Sequence, residues 1–230
     1  MNEPLMRTMS SQLTTRIRER ILTGAYAPGA PLLQDSIAAE FGVSKIPVRE
    51  ALVHLRSEGL VDIFAHRGFQ VRAISAREFS EVFSLRLRIE PDAAALGARK
   101  AAKEDRDAAA AALTRLDRAL AAGDLGQSGD QNRAFHLALI VPALQPVTAE
   151  VLGRLHTLSQ RYVQMHLSPR GRTKRATREH TTLLNAWLAG RHRQVAELTH
   201  GHIEATRADL EKLVVDLTKP VGRLKVLPRP

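Results

Sequence analysis

Asn132 and His136 stand four residues apart, so on a helix both project from one face, which Ile140 continues. His180 is followed at helical spacing by Leu184, Trp187 and Leu188. His202 follows Leu198 by four residues and precedes Ala205 by three. Each of these imidazoles shares a face with apolar neighbours and can turn inward in a helical bundle, where such folds build metal sites from facing side chains. The chemistry open to three imidazoles and one amide is divalent metal binding, and neutral imidazoles suit Zn²⁺, Ni²⁺, Cu²⁺ or Fe²⁺ rather than Mg²⁺. The chain has no cysteine, so disulfides and thiolate ligands are excluded. Taken singly, each histidine is more often a hydrogen-bonded core or surface residue than a ligand, and His54, His66, His156, His166, His192 and His200 are read that way. A metal-dependent hydrolase would pair an open coordination position with a nearby general base. No Glu lies beside His136 in sequence, and Glu179, next to His180, is turned about 100° away on its helix. Binding is therefore expected rather than catalysis.

A second set of residues is cationic. Lys45, Arg49 and Arg56 fall within about 40° of one another around a helix. Beside them Val48, Ala51, Leu52 and Leu55 make an apolar face. A shorter pattern, Ile37, Ala38 and Phe41, ends at Gly42. Ser44 then offers an N-cap, and Pro47 sits in the first turn, where its missing N–H costs nothing. Two short helices joined by a glycine turn, the second basic, describe a helix-turn-helix with its recognition helix. Leu60 to Phe64 alternates like a strand, residues 65–68 turn, and Phe69 to Val71 return as a second strand. His66 and Arg67 at the tip of this wing can reach the groove or backbone beside the recognition helix.

The elements that must position these residues follow from periodicity. Leu13, Ile17 and Ile21 mark an amphipathic first helix, and Pro28-Gly29-Ala30-Pro31 breaks the chain after it. Beyond Ser75, an N-cap with Glu78 three residues on, about six helices are expected and no strand. They cover Glu78–Ala102, Lys103–Ala122, Asp130–Val141, Val147–Leu167, Arg172–Ala189 and Gln194–Leu217, with 126–129 as a loop. The short connections argue for an antiparallel bundle. The fold class is thus mostly α: an N-terminal winged helix-turn-helix (three helices, two-stranded wing) over residues 10–74, then an all-α bundle over 76–218.

Two resemblances sharpen this reading. Ile21-Leu22-x-Gly24-x-Tyr26-x-Pro28-Gly29, Val43-Ser44-Lys45-x-Pro47-Val48-Arg49-Glu50-Ala51-Leu52, Glu58-Gly59-Leu60-Val61 and Arg67-Gly68-Phe69-x-Val71 resemble the winged helix of the GntR family. The likeness implies that Arg49 and Lys45 contact DNA, that Gly68 lets the wing approach closely, and that a dimer binds a palindromic operator; Ser44, Arg56, His66 and Arg67 complete the expected DNA-facing set. Gln34-Asp35 stands where many relatives carry a basic residue, which puts one contact in doubt. Leu85-Arg86-x3-Glu90-x2-Ala93-Ala94, Asn132-x2-Phe135-His136-x2-Leu139, Glu179-His180-x2-Leu183-x2-Ala186-x3-Gly190 and Ala196-x5-His202-Ile203 are similar to the FCD effector domain of the FadR branch of that family. That likeness implies a divalent metal, Zn or Ni foremost, held by Asn132, His136, His180 and His202. It also implies a small carboxylate effector received by Arg86. Asn132 replaces the usual Asp and removes one charge from the ligand set. Arg86 equally fits an i,i+4 ion pair with Glu90. The run from Arg170 to Arg175 reads as a solvated loop.

The net charge of +10 favours a polyanionic partner. Residues 1–75 carry 9 Lys and Arg against 7 Asp and Glu, and the rest carries 25 against 17, so the basic excess lies mostly outside the DNA-reading segment. No apolar run approaches the ~18 residues of a membrane span and no signal-peptide core is visible, so a cytoplasmic protein is expected. The expected function is a ligand-responsive transcription regulator, a repressor before an activator. A hydrolase, or a direct metal sensor without an organic effector, stand as alternatives.

Overall fold

The computed structural model describes residues 8–64, 68–167 and 172–218. In chain order these form α1 (Met9–Leu22), β1 (Pro31–Leu32), α2 (Gln34–Phe41), α3 (Lys45–Ser57), β2 (Val61–Phe64) and β3 (Gly68–Val71). Six longer helices follow: α4 (Ala76–Lys100), α5 (Lys103–Ala122), α6 (Leu125–Ile140), α7 (Pro146–Leu167), α8 (Arg172–Leu188) and α9 (His192–Thr218), with a 3-10 turn, Val141–Ala143, between α6 and α7.

In the first part Leu13, Ile17 and Ile21 of α1 pack on Val48, Ala51, Leu52 and Leu55 of α3, and Leu60, Phe69 and Val71 close the cluster from the sheet. Gly42 ends α2 at φ +65, a left-handed conformation that lets the chain turn into α3. Ser44 occupies the N-cap position of α3, but its hydroxyl makes no capping hydrogen bond. The wing was expected with two strands and has three, in the antiparallel order β1-β3-β2, with Leu32 opposite Phe69 and Ile63 opposite Phe69 on its other side. β1 is two residues long and opens on a proline. Such a strand carries no alternation to read, and an edge position tolerates the missing donor.

In the helical part, α4 is capped by Ser75, whose hydroxyl accepts the Glu78 N–H at 3.2 Å, and runs unbroken through Pro91. The expected loop over 126–129 is instead the start of α6. Asp124 accepts the Gln127 N–H at 2.9 Å, and this cap sets the helix start in spite of two glycines in its first turns. Ala93, Ala94 and Ala98 of α4 pack with Leu116 of α5, Phe135 and Leu139 of α6, Leu152 of α7 and Trp187 of α8. The Trp187 indole donates to the Leu139 carbonyl at 3.0 Å. Phe79, Phe83, Tyr162, Ile203 and Leu210 form a further cluster where α4, α7 and α9 meet.

One stretch of α7 touches both parts of the chain. Arg161, buried, donates to the Arg72 carbonyl at 3.1 Å just after the wing and pairs with Glu78. Tyr162 donates to the Ser75 carbonyl at 3.3 Å. Gly59, at φ +79 behind the recognition helix, lies so close to Leu158 that a Cβ there would sit 2.7 Å from its methyl carbon.

Candidate functional site

The bundle brings His136 of α6, His180 of α8 and His202 of α9 together, with ligand nitrogens within 4.8 Å of one another. The Nε2 atoms of His180 and His202 are 3.2 Å apart. The His202 Nδ1 meets the Glu179 carboxylate at 2.7 Å, and the His136 Nδ1 meets Glu90 at 3.0 Å. Each carboxylate fixes the orientation of its ring and leaves Nε2 for another partner. The His136 Nε2 and His180 Nδ1 are buried with no hydrogen-bond partner. These rings line a cavity of about 30 Å³, together with Arg86, Asn132, Arg175 and Thr206. Asn132 thus lines the same cavity as His136.

Arg86 takes the ion-pair arrangement. Its guanidinium holds Glu90 through Nε at 2.8 Å and Nη2 at 3.3 Å, and its Nη1 donates to Ser159 at 3.1 Å. Burial by itself would raise Glu90, but Arg86, His156 and His136 together hold it well below the usual carboxylate range. Burial pushes His136 down to about 3 against the pull of Glu90. It lowers His156 too, helped by Arg86, and lowers His180 well below normal, helped by the neighbouring His202 and His136. These rings are neutral at physiological pH, the form in which imidazole binds metal.

Several participants escape sequence reasoning. His156, read as an ordinary core or surface residue, is buried with its Nε2 3.1 Å from the Glu90 carboxylate, though without hydrogen-bond alignment. Glu90, His136 and His156 make a second set with potential ligand atoms within 4.8 Å. A carboxylate does stand beside His136, supplied by α4 rather than by its own helix. Glu179 is turned from His180, as its helical offset requires, and that offset aims it across to His202. Arg175, assigned to a solvated loop, belongs to α8, lines the cavity and pairs with Glu179 and Asp209. Apart from Arg175–Glu179, which is i,i+4 on α8, none of these pairings has a sequence signal short of knowing which helices adjoin.

The cationic face lies at the other end of the chain. Ser44, Lys45, Arg49 and Arg56 are all exposed, and Gly68 opens β3 at φ +74 with free space around its Cα. Lys45 is held by Asp35 at 2.5 Å, so the acid at the start of α2 partly offsets the stripe. Arg49 and Arg56 have no ion-pair partner among the described residues. His66 and Arg67 lie outside the described residues.

Residues 9–71 match the bacterial regulatory proteins of the gntR family, and residues 81–205 match the FCD domain. The chain is a GntR-family regulator. Its function is DNA-binding transcription regulation, and its relatives are regulators rather than enzymes, which removes the hydrolase alternative. This GntR-family regulator is 28% identical to the HTH-type transcriptional regulator McbR of Escherichia coli over 148 residues, 64% of this chain and 67% of McbR. It is 38% identical to the gluconate operon transcriptional repressor of Bacillus subtilis over 74 residues, 32% of this chain and 30% of that one. The solved structure of E. coli McbR/YncC superposes with a TM-score of 0.74 at 23% identity, covering 90% of this chain and 99% of the other. That likeness establishes the fold. Among the described residues no helix is long and apolar enough to cross a membrane.

Proposed function

We propose that this regulator is a cytoplasmic homodimeric repressor whose grip on a palindromic operator is set by a small carboxylate bound at a divalent metal. Residues 10–74 form the DNA-binding domain and 76–218 the metal-binding, effector-binding and dimerisation domain. The carrying observation is the buried imidazole set: two rings are locked through Nδ1 by Glu90 and Glu179, and nitrogens are left without partners around one cavity. Burying such atoms unpaired is costly. The 3.2 Å between the His180 and His202 Nε2 atoms also fits two ligands of one tetrahedral ion, about 3.3 Å apart for metal–nitrogen bonds of about 2.0–2.1 Å. His136, His180 and His202 would hold Zn²⁺ or Ni²⁺, with Asn132 as a weaker neutral fourth ligand. The ion would supply a positive anchor for a carboxylate. Two of the five N–H groups of Arg86 have no partner among the described residues and would receive the acid's other edge.

On the DNA side, Arg49, Arg56 and Lys45 enter the major groove or meet the backbone, the uncapped Ser44 hydroxyl and Gly68 lie close to phosphates, and His66 and Arg67 extend from the wing. A single recognition helix reads too few base pairs, which is the argument for two copies on two half-sites. An effector can then shift operator binding only by its differential affinity for two states of the dimer.

The small cavity favours a second reading, a direct metal sensor. About 30 Å³ is room for an ion and a water-sized group. Elemental analysis tests the common part. One metal per chain is expected, and replacing His180 and His202 together by Ala should remove it while the folded dimer still binds DNA. Full metal stoichiometry in the double variant would place the site elsewhere. Operator titrations with metal alone, and with metal plus organic acids, separate the two readings.

A further inference from the structure

Ile46 is the residue on α3 that packing does not explain. It is 72% exposed, the second residue of the helix, and stands directly before Pro47. A residue before proline is pushed away from the helical region by the ring's Cδ, and a β-branched side chain adds to that crowding. Water contact, the pre-proline position and β-branching thus all count against isoleucine here. Val53, 46% exposed, repeats the feature seven residues on, which places it within about 20° of Ile46 and about 10 Å along the axis. Around the helix the order runs Lys45, Arg56, Arg49, Val53, Ile46, so an aliphatic edge borders the basic stripe. Local rules broken at one exposed position are expected at a functional contact.

We propose that Ile46 is a specificity-determining residue that packs on the C5-methyl group of a thymine in each operator half-site. The inference rests on α3 being the recognition helix. Residues at the N-terminal end of such a helix meet base edges, and the thymine methyl is the apolar feature of the major groove. Lys45, its chain neighbour, projects about 100° away around the helix, where it pairs with Asp35. Arg49, one turn on, is free to read a guanine close by. Ile46 therefore selects an A·T pair adjacent to the position that Arg49 reads.

Operators selected from a random duplex library by the full-length protein supply the probe. Each thymine of one half-site is then replaced by uracil, which deletes only the methyl. Fluorescence anisotropy should find one position where uracil weakens the wild-type protein by about fourfold, the equivalent of ~0.8 kcal/mol for one methyl-sized burial. Ile46→Ala should bind the thymine operator more weakly and lose nothing further with uracil, and Ile46→Val should retain part of the sensitivity. Equal uracil losses in wild type and I46A, or no sensitive thymine, overturn the proposal. Arg49→Ala in the same assay separates the levels. Unchanged affinity in R49A removes Arg49 from the groove and with it the placement of Ile46 beside it, whereas weakened R49A without Ile46–methyl coupling overturns the methyl contact alone.

Discussion

Lys45–Asp35 and Arg86–Glu90 are both cation–carboxylate pairs at short range, 2.5 Å and 2.8 Å, and they differ almost entirely in burial. The side chains of the first are 65% and 75% exposed and those of the second 5% and 1%. In water an ion pair is worth little and exchanges freely, so a phosphate can take a lysine from an aspartate at small cost. Inside the bundle neither partner can leave without stranding the other in a low-dielectric site. The basic face of α3 therefore carries a replaceable contact, while the histidine cavity is a fixed scaffold.

The sharpest way to break this contrast is Glu90→Ala. Leaving the Arg86 guanidinium buried and unpaired should lower unfolding free energy by about 3–5 kcal/mol in urea titration. A loss no larger than that of an exposed pair would mean that water reaches the cavity and the scaffold description is wrong.

Acid should attack the same region. His136, His156 and His180 have folded-state pKa values lowered by burial, His136 to about 3, so the unfolded chain binds more protons than the folded one once pH drops below the ordinary imidazole value of about 6.5. Stability is then lost progressively from about pH 6.5 down towards 3. Glu90, also lowered, loses its contribution in the same direction below its ordinary value. Metal-free protein should show a urea midpoint that falls from pH 7.5 to 5.5, and a flat profile would place these rings in contact with solvent.

Arg49→Ala sharpens the other side. Specific operator affinity should fall by about 1–3 kcal/mol, with the urea midpoint essentially unmoved because the side chain is exposed and has no ion-pair partner among the described residues. The smallest expected effect is Asp35→Asn. Folding stability should stay within about 0.5 kcal/mol, while release of Lys45 steepens the salt dependence of DNA binding by about one phosphate contact. Calorimetry and a salt series, respectively, read these.

What could be read from the residues follows the same division. The helix-turn-helix is legible because its signals are local: the apolar spacing of α3, the glycine turn at Gly42 and the strand alternation after Gly59. His136, His180 and His202 were legible as inward-facing because each has apolar neighbours on its own helix. The Glu90–His136, Glu90–His156, Glu179–His202 and Arg175–Asp209 contacts were not, since each joins two helices and helix adjacency has no periodicity. The strand Pro31–Leu32 exists only by pairing with β3, and the two glycines in α6 concealed the first turns of a helix that Asp124 starts.

The stretch of α7 from His156 to Tyr162 bears on how such regulators are recombined. His156 and Ser159 meet the Glu90–Arg86 pair at the cavity, while Leu158 backs onto Gly59 and Arg161 holds the carbonyl of Arg72. A hybrid that joins this DNA-reading half to a foreign sensing half at Ser75 would cut through those contacts, although the covalent seam looks clean. The portable unit is discontinuous: residues up to Glu78 travel with one and a half turns of a helix some eighty residues away. Sensor grafting in this fold is thus a problem of matching α7 to the back of the winged helix, and linker length is secondary to it.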